Sequence, residues 1–225
     1  NSLAEKLLLE EKNHVTGISR TSVIEHSNYQ HIHLDLSDLE QTKTFRFDPN
    51  LNAETVVLIN NSGMIAPVKP VGAADADLIV QNFNVNAVAP ALLMNEFVKT
   101  YKNLPAKSMI LNTSAGVGRH TIESWGPYCA SKAALDMYTS VLFDEQKNVS
   151  HDPVRAWSLA PGIVDTAMQD EIREVPEQDF NMVKTFISYK ENHQLISPSQ
   201  VADQYVEILK NPSKFNEVLM DVRKM

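Results

Sequence analysis

Short apolar runs alternate along the chain with longer segments of helical periodicity, and this alternation restricts the possible folds most. The pattern predicts strands at residues 14–19, 31–34, 55–60, 108–113, 154–159 and 218–222. Three of these runs, VVLIN, MILNT and VRAWSLA, are apolar nearly throughout, as is typical of strands covered by helices on both faces. Strands that alternate with helices are joined by crossover connections. The sequence therefore predicts an α/β fold with a doubly wound parallel sheet and helices on both faces.

The intervening segments predict helices at residues 3–12, 38–47, 75–101, 127–148, 177–189 and 198–210. The last begins with Ser197 as a cap, Pro198 in the first turn and Gln200 in a capping box. Residues 165–196 are polar and weakly periodic, and we interpret them as a substrate lid over the sheet. Since the chain contains no repeat, low-complexity tract or flexible linker, we expect residues 1–225 to form a single domain.

Composition excludes several classes of protein. Lys and Arg number 20 against 28 Asp and Glu, and the resulting net charge of -8 is unfavourable for binding nucleic acid. No apolar run approaches the roughly 20 residues of a membrane helix, so we expect no membrane span. With the single cysteine Cys129 an internal disulfide is excluded, and we expect a cytoplasmic location. The seven histidines lack HExxH spacing, so we expect no metal site.

The chain begins inside a helical pattern, with no strand and no Gly-rich turn before it. Of its seven glycines only Gly116 and Gly118 are close together, and they do not form the G-x-G-x-x-G motif of dinucleotide-binding folds. Two alternatives stay open at this point. Either the numbered chain omits an N-terminal strand and phosphate loop, or the protein lacks them.

Tyr128 and Lys132, within YCASK, form the strongest local signal for catalysis. A spacing of four residues places both side chains on one helix face. A phenol has an ordinary pKa of about 10, and a nearby ammonium lowers it. Tyr128 is therefore a candidate general acid/base and Lys132 the group that tunes it. Alternatively, a Tyr and a Lys at this spacing lie at the solvent-exposed edge of an ordinary amphipathic helix and have no catalytic role.

Other polar residues follow predicted strands. Ser114 comes directly after MILNT, at the strand end where open α/β sheets bind ligands, and its hydroxyl is suited to polarising a carbonyl. The segments NNSG (residues 60–63) and LAPG (residues 159–162) follow strands in the same way. Asn86 lies in an otherwise apolar helix, where its amide must find hydrogen-bond partners.

The ordered set of NNSG, Asn86, Ser114, Tyr128 with Lys132, and PGIVDT (residues 161–166) resembles the short-chain dehydrogenase/reductase family. The resemblance covers essentially the whole chain and implies a Rossmann-like fold. Within the family, SWGPYCASKAALDMY (residues 124–138) is most similar to sepiapterin reductases and bacterial benzil reductases.

This resemblance implies a catalytic role for four residues. Tyr128 would donate the proton and Ser114 would orient the carbonyl. Lys132 would lower the tyrosine pKa and hold the nicotinamide ribose, and Asn86 would support a proton relay through water. The implied cofactor-binding residues are Ser19, Arg20, Asp35, Leu36, Asn60, Gly63, Tyr128, Lys132, Pro161, Gly162, Ile163 and Thr166.

The sequence GISRT (residues 17–21) favours NADPH as the cofactor. It ends the strand predicted at residues 14–19, which corresponds to the second strand of the family fold. Ser19 stands where family members that use NAD carry an acidic residue, and Arg20 follows it. An acidic side chain would repel a 2′-phosphate, whereas a guanidinium can bind one.

We therefore expect an NADPH-dependent carbonyl reductase that acts on a small aromatic ketone or diketone, similar to sepiapterin or benzil. Small alanines at 130, 133 and 134 favour close helix packing, and members of the family pair through such helices, so we expect a homodimer or homotetramer. Two other functions stay open: a cofactor-binding sensor or scaffold without turnover, and an alcohol-oxidising dehydrogenase.

Overall fold

The computed structural model describes residues 1–49, 52–149 and 153–225, and it contains all six predicted strands. Only the first and last residues of the strands shift slightly from the predicted bounds. The strands are β1 (Val15–Ser19), β2 (Tyr29–His33), β3 (Thr55–Asn60), β4 (Lys107–Thr113), β5 (Arg155–Ala160) and β6 (Leu219–Asp221).

All strand pairs are parallel, and hydrogen bonding divides the strands into two sheets with the orders β1-β2 and β3-β4-β5-β6. Asn60 of β3 lies opposite Asn112 of β4, and Thr113 lies opposite Leu159 of β5. The carboxyl ends of these three strands therefore meet at one edge, which is where such sheets bind ligands.

The helices follow the predicted order with some changes. They are α1 (Ser2–Leu8), α2 (Leu39–Thr44), α3 (Ala76–Phe83), α4 (Ala89–Tyr101), α5 (Gly126–Gln146), α6 (Ala167–Arg173), α7 (Val183–Glu191) and α8 (Pro198–Lys210). A π-helical turn, Asn84–Val88, divides the predicted helix 75–101 into α3 and α4, and α6 was not predicted. Within the described residues, no helix combines the length and apolar character needed to cross a membrane.

Helices cover both faces of the larger sheet. On one face, Ile110 of β4 packs in a buried cluster with Phe97 of α4 and Leu135 of α5. Its neighbour Leu111 points to the opposite face, where it packs with Tyr205 of α8. Because alternate residues of a strand face opposite sides, a strand buried on both faces is apolar throughout. The prediction of a doubly wound, Rossmann-like α/β fold is confirmed.

Helix α8 begins as predicted. The Ser197 side chain accepts a hydrogen bond from the Gln200 backbone N–H at 3.2 Å, and the Ser197 N–H donates to Gln200 Oε1 at 3.0 Å. This reciprocal capping satisfies two backbone donors at the start of the helix.

Residues 165–196 contain α6 and α7 and contribute side chains to a third hydrophobic cluster. Ile172, Phe180 and Phe186 of this segment are buried together with Trp125 and Tyr128 at the start of α5. The segment is attached at both ends, because Asp165 N–H donates to Ile196 O and Ile196 N–H donates to Ile163 O, each at 2.9 Å. Its role as a substrate lid stays a prediction.

Phe97 tests the importance of the core beneath the sheet. Its side chain is 1% exposed and its ring lies 4.8 Å from that of Tyr101, so Phe97→Ala leaves a cavity. We expect a loss of about 3–5 kcal/mol in the free energy of unfolding, measured by urea denaturation. The control is Val71→Ala at a residue that is 94% exposed, for which we expect almost no change. A loss below about 1 kcal/mol for Phe97→Ala would contradict its role in the core.

Candidate active site

The side chain of Lys132 crosses from α5 to the carboxyl end of β4. Its ammonium donates to the backbone carbonyl of Thr113 at 2.8 Å, and the residue is only 3% exposed. Burial lowers the pKa of Lys132 to about 8, and the carboxylate of Asp136, one helical turn further on, opposes this effect. A charge held this far from water requires neighbours that compensate it.

The carboxylate of Asp136 supplies part of this compensation, and two side chains hold it in place. Arg119 Nε donates to Asp136 Oδ2 at 2.8 Å, and Ser158 Oγ of β5 donates to Asp136 Oδ1 at 2.5 Å. The same guanidinium donates to the carbonyl of Met220 in β6 at 3.1 Å. The orientation of the carboxylate below Lys132 is thereby tied to both β5 and β6.

Tyr128 lies on the same face of α5 as Lys132, as the spacing predicts. The Lys132 ammonium is 5.9 Å from the centre of the Tyr128 ring, and the ring meets Trp125 edge-on at 5.7 Å. We predicted that Lys132 lowers the pKa of Tyr128, but in this structure burial raises the pKa above its ordinary value. Burial is the main cause and the neighbouring Cys129 adds to it, so the phenol keeps its proton at neutral pH.

Ser114 directly follows β4 and is 2% exposed. Its backbone N–H donates to Leu159 O at 2.8 Å, which holds the residue against the end of β5. Its hydroxyl is buried and makes no hydrogen bond within the part of the chain that the structure describes. Buried hydroxyls are normally bonded, so an unused donor at this edge is suited to a bound oxygen acceptor.

Asn86 lies in the π-helical turn, and its side chain is fully engaged. Its Oδ1 accepts from Met64 N–H at 2.9 Å, and its Nδ2 donates to Met64 O at 2.8 Å and to Asn82 Oδ1 at 3.0 Å. Asn82 Oδ1 also accepts from Ser131 Oγ of α5 at 2.7 Å. This amide network connects the loop after β3 to α5, and π-helical turns are frequent at functional sites.

Gly63 lies where these groups converge. A Cβ at this position would be 3.3 Å from Asn86 Oδ1 and 3.5 Å from Lys132 Nζ. The structure therefore brings Asn86, Lys132 and Gly63 together, and a Cβ at position 63 would be tight against Asn86 Oδ1.

Asn60 is buried beneath this edge. Its Nδ2 donates to Asn112 Oδ1 at 2.7 Å, and Asn112 Nδ2 donates to Thr139 Oγ1 of α5 at 2.8 Å. These bonds connect β3, β4 and α5. A direct contact between Asn60 and a cofactor stays a prediction.

Ser19, Arg20 and Asp35 lie together at the carboxyl ends of β1 and β2. Arg20 is exposed. Asp35 accepts hydrogen bonds from the Ser37 N–H at 2.9 Å and the Ser37 hydroxyl at 2.7 Å. These bonds hold the pKa of Asp35 below its usual value, with smaller contributions from the positive charges of Arg20 and His33. Leu36, for which we predicted an adenine contact, packs partly buried against the hydrophobic core.

The loop after β5 contains the predicted residues Pro161, Gly162, Ile163 and Thr166. Gly162 has φ of 79°, in the left-handed region that favours glycine. Thr166 caps the start of α6 and its carbonyl accepts from the Gln169 N–H at 2.8 Å. This loop therefore leads directly into residues 165–196.

Several site residues were not found from the sequence. Thr113 accepts Lys132 through its carbonyl, and its hydroxyl lies 2.8 Å from that of Tyr205 on α8. The polar residues Ser131, Asp136 and Thr139 lie on the buried face of α5. Polar residues on the apolar face of a predicted helix could have identified them from the sequence. The residues on other elements that bond to them leave no such pattern.

Comparisons with known proteins identify the family of this chain. The family model described as short chain dehydrogenase matches residues 8–177. The benzil reductase ((S)-benzoin forming) of Bacillus cereus is 35% identical over 209 residues, which cover 87% of this chain and 83% of that protein. The sepiapterin reductase of Xenopus laevis is 29% identical over 182 residues, covering 78% and 67%. The chain belongs to the short-chain dehydrogenase/reductase family.

Solved structures share the fold. A short chain dehydrogenase/reductase from Saccharomyces cerevisiae superposes with a TM-score of 0.81 at 24% identity, covering 98% of this chain and 90% of that one. A 4-hydroxyisoleucine dehydrogenase complexed with NADH (TM-score 0.76, 21% identity, 96% and 89% covered) also shares it. So does a short chain dehydrogenase from Burkholderia cenocepacia in complex with NADP (TM-score 0.69, 20% identity, 98% and 81% covered). At these identities the likeness concerns the fold alone.

The buried charge of Lys132 predicts a specific pH dependence. Its pKa is about 8 in the folded chain and about 10.5 when exposed, so between these values the unfolded chain binds more protons and the folded state gains stability as pH rises. From pH 7 to about pH 9.5, we expect the wild type to gain about 2 kcal/mol relative to Lys132→Met, measured by urea denaturation.

The matched control is Lys12→Met, at an exposed residue. Its free energy of unfolding should differ from that of the wild type by the same amount throughout this pH range. A constant difference for Lys132→Met as well would contradict the lowered pKa.

Proposed function

We propose that the protein is an NADPH-dependent carbonyl reductase that acts on a small aromatic ketone or diketone of the benzil or sepiapterin kind. The observation that carries this proposal is the buried Ser114 hydroxyl, which has no partner in the described residues. Ser114 directly follows Thr113, whose carbonyl binds the buried Lys132 ammonium, and Tyr128, one helical turn before Lys132, has a pKa raised by burial. These are the donors that carbonyl reduction requires.

The residues present fit a nicotinamide cofactor. Lys132 uses one hydrogen bond for Thr113 and has two further N–H donors suited to ribose hydroxyls. Gly63 leaves room beside this ammonium, and the left-handed Gly162 shapes the next loop. When bound, the reduced nicotinamide would supply the hydride.

Further residues would hold the remainder of the cofactor. Arg20 and Ser19 would bind the 2′-phosphate, and Asp35 with Leu36 would contact the adenine. The predicted set at the nicotinamide half consists of Asn60, Gly63, Tyr128, Lys132, Pro161, Gly162, Ile163 and Thr166.

The protein's own part in the reaction is to polarise and protonate. The Ser114 hydroxyl donates to the substrate carbonyl oxygen and stabilises the negative charge that develops there. Tyr128 holds the proton, because burial keeps its pKa high, and donates it to that oxygen. The Lys132 ammonium then stabilises the phenolate, and Asp136 keeps this ammonium charged.

An apolar aromatic substrate suits the surroundings of Tyr128. The Phe180 ring stacks on Trp125 at 5.5 Å, and Phe186 lies 5.4 Å from Trp125. We assign residues 165–196 the role of a lid that brings these rings over the site and excludes water. The similarity to a benzil reductase supports the same class of substrate.

We also propose that two copies pair through α5. Its outer face carries the apolar residues Met137, Tyr138 and Val141, which are 66%, 41% and 49% exposed. A contiguous apolar patch on a helix favours association with a second copy.

Tyr128→Phe tests the proton donor. Since the hydroxyl alone is removed, we expect kcat for diketone reduction to fall by about 100-fold or more while cofactor binding and thermal stability are retained. The control is Tyr138→Phe, which makes the same change at a partly exposed position of the same helix and should leave kcat unchanged. Turnover near the wild-type rate in Tyr128→Phe would exclude the mechanism, and cofactor binding without turnover in the wild type would favour a sensor or scaffold.

Arg20→Gln tests the choice of cofactor. Loss of the guanidinium should weaken NADPH binding by about tenfold and leave NADH binding unchanged, because only NADPH carries a 2′-phosphate. Fluorescence titrations with both dinucleotides measure this, and Arg46→Gln, at another exposed arginine, is the control. Equal weakening of NADPH and NADH binding would show that Arg20 does not recognise the 2′-phosphate.

A further inference from the structure

Two histidines of β2 contact the β1 residues to which we assign 2′-phosphate binding. His31 Nε2 lies 3.1 Å from both the carbonyl oxygen and the hydroxyl of Ser19. His33 Nδ1 lies 2.9 Å from the carbonyl oxygen of Arg20. Both imidazoles therefore reach across the strand pair to its carboxyl end.

The His33 contact determines which ring nitrogen is free. A carbonyl oxygen can only accept, so Nδ1 carries the hydrogen in this bond and Nε2 is the nitrogen that gains a proton in acid. The bond to Arg20 is compatible with both charge states. Protonation therefore adds a positive charge beside Arg20 without requiring His33 to move.

The surrounding charges make that addition significant. The carboxylate of Asp35, which follows β2, interacts with the charges of both Arg20 and His33. Asp38, at the start of α2, in turn senses the charge of Asp35. Among the described residues, His33 is linked to Arg20 by the hydrogen bond to its carbonyl oxygen and to Asp35 by charge.

We propose that His33 is a second cationic determinant for the 2′-phosphate, and that it acts together with Arg20. The inference rests on the proposed function, because it concerns the same NADPH site. An imidazole carries a positive charge only when it is protonated, so the contribution of His33 increases as the pH falls from about 8 to about 6. NAD lacks the phosphate, and its binding does not sense this charge.

The phosphate itself acts in the opposite direction. Its second pKa is about 6, so it loses negative charge in the same range. This loss is identical for the wild type and for a His33 variant. A comparison of the two proteins at each pH therefore isolates the effect of the imidazole.

The experiment titrates the protein with NADP⁺ and with NAD⁺ at about pH 6 and about pH 8 by isothermal calorimetry. The variant is His33→Gln, which keeps an uncharged donor. The control is His14→Gln, an exposed histidine that precedes β1 at the opposite end of the strand. For each protein, the quantity compared is the ratio of the two dissociation constants.

We expect the preference of the wild type for NADP⁺ to exceed that of His33→Gln by about threefold to tenfold at the lower pH, and by less than about twofold at the higher pH. His14→Gln should behave as the wild type.

An equal preference in wild type and His33→Gln at both pH values would overturn the role of His33 and leave the proposed cofactor intact. Equal weakening of both dinucleotides, or a difference that does not depend on pH, would also overturn it, because either result indicates a packing role. If the wild type shows no preference for NADP⁺ at either pH, the proposed cofactor is wrong.

Discussion

The ammonium of Lys132 lies inside the protein, bonded to the carbonyl of Thr113, and the geometry of the site depends on keeping it there. A buried charge is costly unless its neighbours are fixed, and here the carboxylate that opposes the effect of burial, Asp136, is held by Arg119 and Ser158. Because these four partners come from β4, the loop after it, α5 and β5, the chain satisfies the charge only when these elements are assembled. Because the positive charge of Lys132 must be compensated, the start of α5 is held in a fixed position relative to the strand ends.

Two properties of the edge follow from this arrangement. Tyr128 shares a helix face with Lys132 and is enclosed by apolar rings, so it retains its proton, while Ser114 keeps a hydroxyl without a partner in the described residues. Asn86 is different, since all its polar atoms are engaged in holding the loop after β3. The edge therefore combines rigid, fully bonded groups with donors that have capacity for a ligand.

Most of the fold could be predicted because its strands are buried on both faces and appear as apolar runs, as β3 and β4 do. Helix α6 was missed because it is short and its apolar residues are few. The π-helical turn around Asn86 depends on contacts with a distant loop, which periodicity does not contain. For the same reason the partners of Asp136 were missed, whereas Tyr128 and Lys132 share one helix turn and were found. Leu36 packs partly buried against the core, and its contact with adenine stays a prediction because an apolar side chain after a strand suits either environment.

The most direct measurement follows a deuterium label from position 4 of the reduced nicotinamide ring of NADPH. The wild-type protein is incubated with this cofactor and benzil, and the product is examined by mass spectrometry and NMR. We predict benzoin with the deuterium on the newly formed carbinol carbon, and much slower transfer from labelled NADH. Binding of the labelled cofactor without transfer to any aromatic diketone or ketone would contradict the assignment of this site to carbonyl reduction.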